Sequence, residues 1–395
     1  MIEKTAISSS QKSTGNPPVA ADISATAGTQ RSLHIMIAGG GTGGHIFPAI
    51  AIANALKNKL PQTEFLFVGA SGKMEMEKVP LAGYKIEGLD IAGYNRSSLL
   101  KNISLPVKLI KSFFRVSQIF KSFRPDAVIG VGGYSSFPVL RFAQSKNIPT
   151  FIHESNSFAG KSNILLGKKA SEIYTASGGM EKFFPADKIT LTGNPVRHMI
   201  SYNSVSKEKA IHFFNLNPEK KTVLVIGGSL GAKSINEAID KNINVFVQKG
   251  LQVIWQTGKP YFEKAKQSAA GMTGICVKDF IAQMDNAYAA ADVVISRSGA
   301  MAVAELCIVK KPVVFVPYPY AAEDHQTANA RALVNKDAAI LVKDEDAAAD
   351  LIPALLQLIG DEALQITLKK NIEKFAIKNA DEIIASQILK TLKIV

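Results

Sequence analysis

The first half of the chain carries a histidine at the exit of a glycine turn. In LHIMIAGGGTGGHIFPAIAIANAL (Leu33–Leu56) an apolar run ends in glycines, His45 follows, and a helix-period pattern continues. A strand turning into a helix in this way presents N–H groups and a positive dipole end, both suited to phosphate. An imidazole there sits at the mouth of a parallel sheet, where open α/β folds bind ligands, and its titration range suits a general base. A histidine capping its own helix is the plainer reading. The turn is not a dinucleotide fingerprint, because the next strand ends Val68-Gly69-Ala70-Ser71 with no acidic residue for a ribose. It is not a P-loop either, since no Gly-Lys-Ser/Thr follows.

A second turn of the same kind, TVLVIGGSLGAKSINEAI (Thr222–Ile239), places the Ser229 hydroxyl where it could meet a phosphate. Farther on, ISRSGAMAVAELC repeats the logic, with Glu305 about two helical turns in among Ala, Met, Val and Leu. A lone carboxylate on so apolar a helix needs a partner. The vicinal hydroxyls of a sugar and a structural salt bridge both supply one. HESNSFAGKSN gathers His153, Glu154 and Asn156 at a strand end, and EDHQTANA does likewise with Gln326. Neither has metal-ligand spacing, and their amides suit a polar, uncharged ligand such as a sugar. Asp344-Glu345-Asp346 matches the DxD pattern of metal-dependent sugar transferases, but its place before a helical stretch reads as capping.

These groups need a scaffold. Candidate strands are Leu33–Ala38, Glu64–Val68, Ala127–Gly130, Thr150–His153, Glu172–Thr175 and Lys188–Thr192. The second half repeats the plan with Val223–Ile226, Leu251–Gln256, Ile275–Lys278, Val293–Ser296, Val313–Val316 and Ala339–Val342. Apolar runs alternating with helix-period stretches predict parallel sheets covered on both faces, an α/β fold of two Rossmann-like domains facing a cleft. The length of 395 residues allows roughly two to three domains. The expected division is a disordered leader at 1–32, an N-terminal domain at 33–196, a C-terminal domain at 197–370 and a final helical segment at 371–395. No apolar run approaches the ~18 residues of a membrane span. Two cysteines, Cys276 and Cys307, are too few for a disulfide framework and point to the cytoplasm.

The net charge of +13 calls for an anionic partner. Lys101–Arg124 has six basic residues and no acidic one. As a helix it sets Lys108, Lys111 and Arg115 opposite Leu109, Phe113, Val116 and Phe120. An ordinary core helix with a solvated face and a surface for anionic lipid both fit. Nucleic acid is disfavoured, because no binding motif for it appears and the other motifs point to a cleft.

Taken in order, GGGTGGHIFPA, GVGGYSSFP, HESNSFAG, TGNPVR, GGSLGAKSIN, KDFIAQM, SRSGAMAVAE and EDHQTANA resemble the MurG family of peptidoglycan glycosyltransferases. The resemblance runs from about Leu33 to the C-terminus. It implies the GT-B fold, a final helix crossing back to the N-terminal domain, and a peripheral enzyme on the cytoplasmic face of the inner membrane. The implied reaction is inverting transfer of GlcNAc from UDP-GlcNAc to the C4 hydroxyl of MurNAc in lipid I, giving lipid II for peptidoglycan synthesis. No cofactor or metal is implied. The implied partners are UDP-GlcNAc, lipid I, an anionic membrane surface and other cell-wall synthesis proteins.

Residue by residue, the resemblance implies that Thr42, Gly43 and Gly44 lie near the donor and that Asn156 and Gln326 contact its sugar. Arg197 belongs to the nucleotide site, Ser229 is the phosphate-loop serine, and the Ile281 backbone reads uracil. Ala300, Met301, Ala302, Val303, Ala304 and Glu305 begin the nucleotide-binding helix, with Glu305 on the ribose hydroxyls. His45 matches the histidine proposed to assist the acceptor hydroxyl, and Glu154 is its rival as base. Gly132, Gly133, Tyr134 and Ser135 are expected beside the acceptor's pyrophosphate. One departure is Ser155, where many members have Gln. Rival readings are a diacylglycerol-type glycolipid synthase, a UDP-GlcNAc 2-epimerase and a non-catalytic nucleotide-sugar-binding subunit.

Overall fold

The computed structural model describes residues 32–93, 105–196, 200, 205–228 and 230–394. Most of the expected leader therefore lies outside the described residues. From Leu33 onward the chain forms one compact unit containing two parallel sheets.

The first sheet holds β1 (His34–Ala38), β2 (Glu64–Ala70), β3 (Lys85–Leu89), β4 (Ala127–Gly130), β5 (Thr150–Glu154), β6 (Glu172–Thr175) and β7 (Ile189–Leu191), in the order β3-β2-β1-β4-β5-β6-β7. The second holds β8 (Thr222–Ile226), β9 (Gln252–Gln256), β10 (Ile275–Lys278), β11 (Val293–Ser296), β12 (Val313–Phe315) and β13 (Ile340–Leu341), in the order β10-β9-β8-β11-β12-β13. Central strands such as β4, β8 and β11 are buried on both faces. They are runs of apolar, largely β-branched residues, as strands sandwiched between helices require.

Strand β3 falls outside the strands predicted from sequence. It is an edge strand, mostly half-exposed, so KIEGL carries no continuous apolar run. Strand β2 runs to Ala70, two residues past its predicted end.

Chain order reverses beside β1 in the first sheet and beside β8 in the second. Ligand crevices of open parallel sheets form outside the carboxyl ends of strands at such points. Both glycine turns lie there.

The helix Gly43–Lys59 leaves the first turn and buries Ile46, Ala49, Ile52, Ala53 and Leu56 against β1 and β4. The last helix, Ala380–Thr391, adds Ile384, Ala385, Ile388 and Leu389 to the same core. Each such Ile or Leu contributes about 1.5–3 kcal/mol by leaving water. The chain reaches this position past Gly193, where Ile377 lies so close that an added Cβ would stand 2.7 Å from it.

Candidate active site

His45 sits in the first turn of the helix after β1, with Thr42 as the N-terminal flanking residue. Its Nδ1 lies 3.1 Å from the Gly40 carbonyl oxygen and 3.4 Å from Thr42 Oγ1. A carbonyl only accepts, so Nδ1 carries the proton and Nε2 keeps its lone pair. The turn after β4 covers this edge of the ring. Gly132 there has φ +94°, and a Cβ on it would stand 2.9 Å from His45 Nε2, so glycine alone leaves the nitrogen room. Desolvation in the cleft pushes the imidazole below its ordinary value. Glu154, the Gly40 hydrogen bond and Glu75 oppose that shift, and His325 reinforces it. The ring is neutral near pH 7, the form a base requires.

Glu75, which the sequence did not single out, lies beneath the same turn and is 1% exposed. Gly41 N–H donates to its Oε2 at 3.0 Å and Ala70 N–H to its Oε1 at 2.9 Å. One carboxylate therefore joins the turn that follows β1 to the end of β2. KMEMEK reads as a solvated helix start, so nothing in its pattern marks Glu75. The Tyr134 ring lies against Gly41 and Gly93, and Ser136 Oγ donates to the Gly133 carbonyl at 2.8 Å. Ser135 is buried beside them.

The motif after β5 is organised by Glu154. Asn156 N–H (3.1 Å) and Nδ2 (3.3 Å) donate to Oε1, while Gly160 N–H (3.1 Å) and Asn163 Nδ2 (2.8 Å) donate to Oε2. With both oxygens engaged by four donors, the carboxylate shapes its loop and is badly placed to take a proton. His153 is fully buried, donating from Nε2 to the Gly193 carbonyl at 3.3 Å. Desolvation lowers it to about 4, against the Gly193 hydrogen bond and with help from His45.

Two asparagines join the halves of the chain. Asn329 accepts from Ser157 N–H at 2.9 Å and donates from Nδ2 to Asn156 Oδ1 (3.3 Å) and the Ser298 carbonyl (3.2 Å). Asn194 donates to the Ser155 carbonyl (3.0 Å) and the Ala300 carbonyl (3.3 Å). The loops after β5 and β11 therefore meet across the cleft.

On the second sheet, Ala300, Met301, Ala302, Val303 and Ala304 open the helix Ala300–Val309 and are half-buried. Glu305 is 5% exposed, and Tyr288 Oη donates to its Oε2 at 2.9 Å. Gln326 accepts from Tyr318 N–H at 3.0 Å, and its carbonyl accepts from Ser298 Oγ at 2.8 Å. Ile281 N–H donates to Gln256 Oε1 at 2.9 Å.

The buried Arg297 donates to the carbonyls of Val316 (2.9 Å) and Pro317 (3.1 Å), to Ser234 Oγ (3.1 Å) and to Asp344. Asp344 also accepts from Ser234. It is thus the counter-ion of Arg297, where the sequence pattern suggested a helix cap. Asp346 flanks the helix Ala347–Gly360 but makes no side-chain capping bond. Among the described residues no cluster of His, Cys, Asp or Glu is arranged to hold a metal ion.

Residues 35–175 match the N-terminal domain of glycosyltransferase family 28, and residues 222–386 match its C-terminal domain. The chain belongs to glycosyltransferase family 28. A relative from Parabacteroides distasonis named "UDP-N-acetylglucosamine--N-acetylmuramyl-(pentapeptide) pyrophosphoryl-undecaprenol N-acetylglucosamine transferase" is 51% identical over 364 residues, 92% of this chain and 99% of the relative. One of the same name from Cytophaga hutchinsonii is 50% identical over 364 residues, 92% and 98% of the two chains. The crystal structure of Acinetobacter baumannii MurG superposes with a TM-score of 0.73 at 28% identity, covering 91% of this chain and 99% of that one. S. aureus MnaA with UDP gives 0.66 at 15% identity over 92% and 98%, a likeness of fold alone. With its two parallel sheets, this member of family 28 has the GT-B fold.

The candidate site brings together His45, Gly132, Glu154, Asn156, Asn329 and the start of the helix bearing Glu305. Arg197 and Ser229 lie outside the described residues. Sequence reasoning missed Glu75, Asn194, Gln256, Tyr288 and Asn329, whose partners are distant along the chain. The helix Leu105–Phe123, in contrast, lies on the surface of the first sheet. Val116 and Phe120 are buried and Leu109 and Phe113 half-buried, while Lys108 pairs with Asp90 and Arg115 with Glu87, each at 2.8 Å. It also exposes Val107 (55%), Ile110 (58%) and Phe114 (70%), a stripe the sequence reading passed over.

Proposed function

We propose that this chain transfers GlcNAc from UDP-GlcNAc to the C4 hydroxyl of MurNAc in lipid I, with inversion, to give lipid II. The observation that carries the reading is the close identity, over almost the whole of both chains, to relatives bearing that activity in their names. The site geometry supports a mechanism. His45 Nε2 takes the proton of the acceptor hydroxyl as its oxygen bonds to the anomeric carbon. The bond from that carbon to the phosphate oxygen breaks, and the electron pair leaves with UDP. Donors at the glycine turn after β8 and at the helix starts nearby offset the charge developing on the leaving group. Glu305 holds the ribose hydroxyls, and Asn156 and Gln326 meet the sugar. Glu154 keeps its loop in shape, so His45 is the base.

The acceptor's lipid tail stays in the bilayer, so the enzyme works from the membrane surface, on its cytoplasmic face. Among the described residues no single helix is long and apolar enough to cross a membrane. Val107, Ile110 and Phe114, flanked by Lys111, fit insertion among anionic headgroups. The test is UDP release by the full-length protein. It should require a lipid I analogue and should not be competed by diacylglycerol; release with donor alone would favour an epimerase-like reaction.

A further inference from the structure

The described residues hold few buried polar side chains that touch two site loops at once, and Gln256 is one. It ends β9, is 4% exposed, and points its carboxamide between the segments that follow β8 and β10. Its Nε2 donates to the Gly228 carbonyl at 3.0 Å, and its Oε1 accepts from Ile281 N–H at 2.9 Å. A carbonyl partner on one side and an N–H on the other fix the amide's orientation. The glycine turn is seated on the same strand end. Gly231 has φ +76°, and a Cβ on it would stand 1.8 Å from the Thr257 carbonyl oxygen. Below, Trp255 Nε1 donates to Asn236 Oδ1 at 3.0 Å, and Asn236 Nδ2 donates to the Thr257 carbonyl at 2.8 Å.

We infer that Gln256 is a positioning residue that holds the phosphate-binding turn and the base-reading segment in one register, so that a nucleoside diphosphate meets both at once. The inference rests on the donor reading above. With its N–H engaged by Gln256, Ile281 has its carbonyl left to meet a base. A carbonyl favours a ring that presents N–H: N3 of uracil carries a hydrogen, whereas N3 of cytosine does not. Gln256 therefore contributes to nucleotide affinity and to base choice without touching the nucleotide.

Gln256→Met keeps the length and apolar stem but removes both bonds. Gln256→Glu keeps the acceptor for Ile281 and turns an oxygen toward the Gly228 carbonyl. Calorimetric affinities for UDP and CDP, donor KM, kcat and Tm should be compared with Val225→Ala, a core change in β8 that removes none of these polar contacts. For Gln256→Met the expected result is a ~10- to 100-fold rise in UDP Kd and donor KM, a kcat within about threefold of wild type, and a narrowed UDP-over-CDP preference. Gln256→Glu should weaken UDP while retaining more of the base preference. If Gln256→Met does not fold, Gln256→Glu alone decides, because its effect is read against wild type in the same titrations. Unchanged UDP affinity and base preference, or losses equal to those of a Val225→Ala protein of matched Tm, would overturn the inference. A wild-type protein that fails to bind UDP would instead overturn the donor reading.

Discussion

At the scale of single residues, the proposed mechanism turns on one nitrogen. The Gly40 carbonyl fixes the proton of His45 on Nδ1, and desolvation keeps the ring neutral. His45→Ala should lower kcat by ~10²–10⁴ while UDP binding stays near wild type. A near-normal kcat at saturating lipid I would remove the base assignment. His153 makes a different statement, about stability. Its folded value of about 4 lies below the ordinary imidazole value of 6.5, so the unfolded chain binds more protons between those values. Its contribution is whole above pH 6.5 and is lost as pH falls toward 4, at up to ~1.4 kcal/mol per pH unit. His153→Gln, which keeps a donor for the Gly193 carbonyl, should flatten the acid limb in urea titrations at pH 7.5, 6 and 5. Parallel curves for variant and wild type would contradict this. His45 and Glu154 were legible because glycines and strand ends flank them. Glu75 and Gln256 were not, because what makes them matter is partners brought close only by the turns after other strands. Glu154 shows the converse: its type suggested a base, but four N–H donors occupy its oxygens.

At the scale of elements, buried strands were legible as apolar runs, and edge strands were not. β3 pairs on one side only and is half-exposed, so its sequence lacks the signal that reveals β1 or β8. The helix Leu105–Phe123 was legible as amphipathic, with Val116 and Phe120 on its buried face. Its exposed stripe was not, because Val107, Ile110 and Phe114 read as ordinary members of an apolar helix. Their exposure changes the expected balance of membrane docking. Lys108 and Arg115 are already paired with carboxylates, so Lys111 and the apolar stripe carry more of it. A Val107/Ile110/Phe114 triple-serine variant should lose flotation with anionic vesicles at both low and high salt. Lys111→Ala should lose only a salt-sensitive part, ~1 kcal/mol. Flotation of the triple variant equal to wild type would move the docking surface elsewhere.

At the scale of the whole molecule, two sheets present their carboxyl-terminal ends to one cleft, and Asn329 and Asn194 tie the loops after β5 and β11 across it. The duplication of strand, glycine turn and helix made two such sheets legible. The asparagine ties were not, since the bonds of Asn329 to Ser157 and Asn156 and of Asn194 to Ala300 each join residues more than a hundred positions apart. This architecture suits a reaction in which a donor held by one half meets an acceptor held by the other, with a base between them. The most direct test is to identify the product. The full-length protein should be incubated with UDP-GlcNAc and a short-chain lipid I analogue, and the linkage read by NMR alongside UDP release. The expected result is a β-1,4-linked GlcNAc–MurNAc product with one UDP released per disaccharide. An α linkage, a different acceptor hydroxyl, or UDP formed without disaccharide would contradict the account.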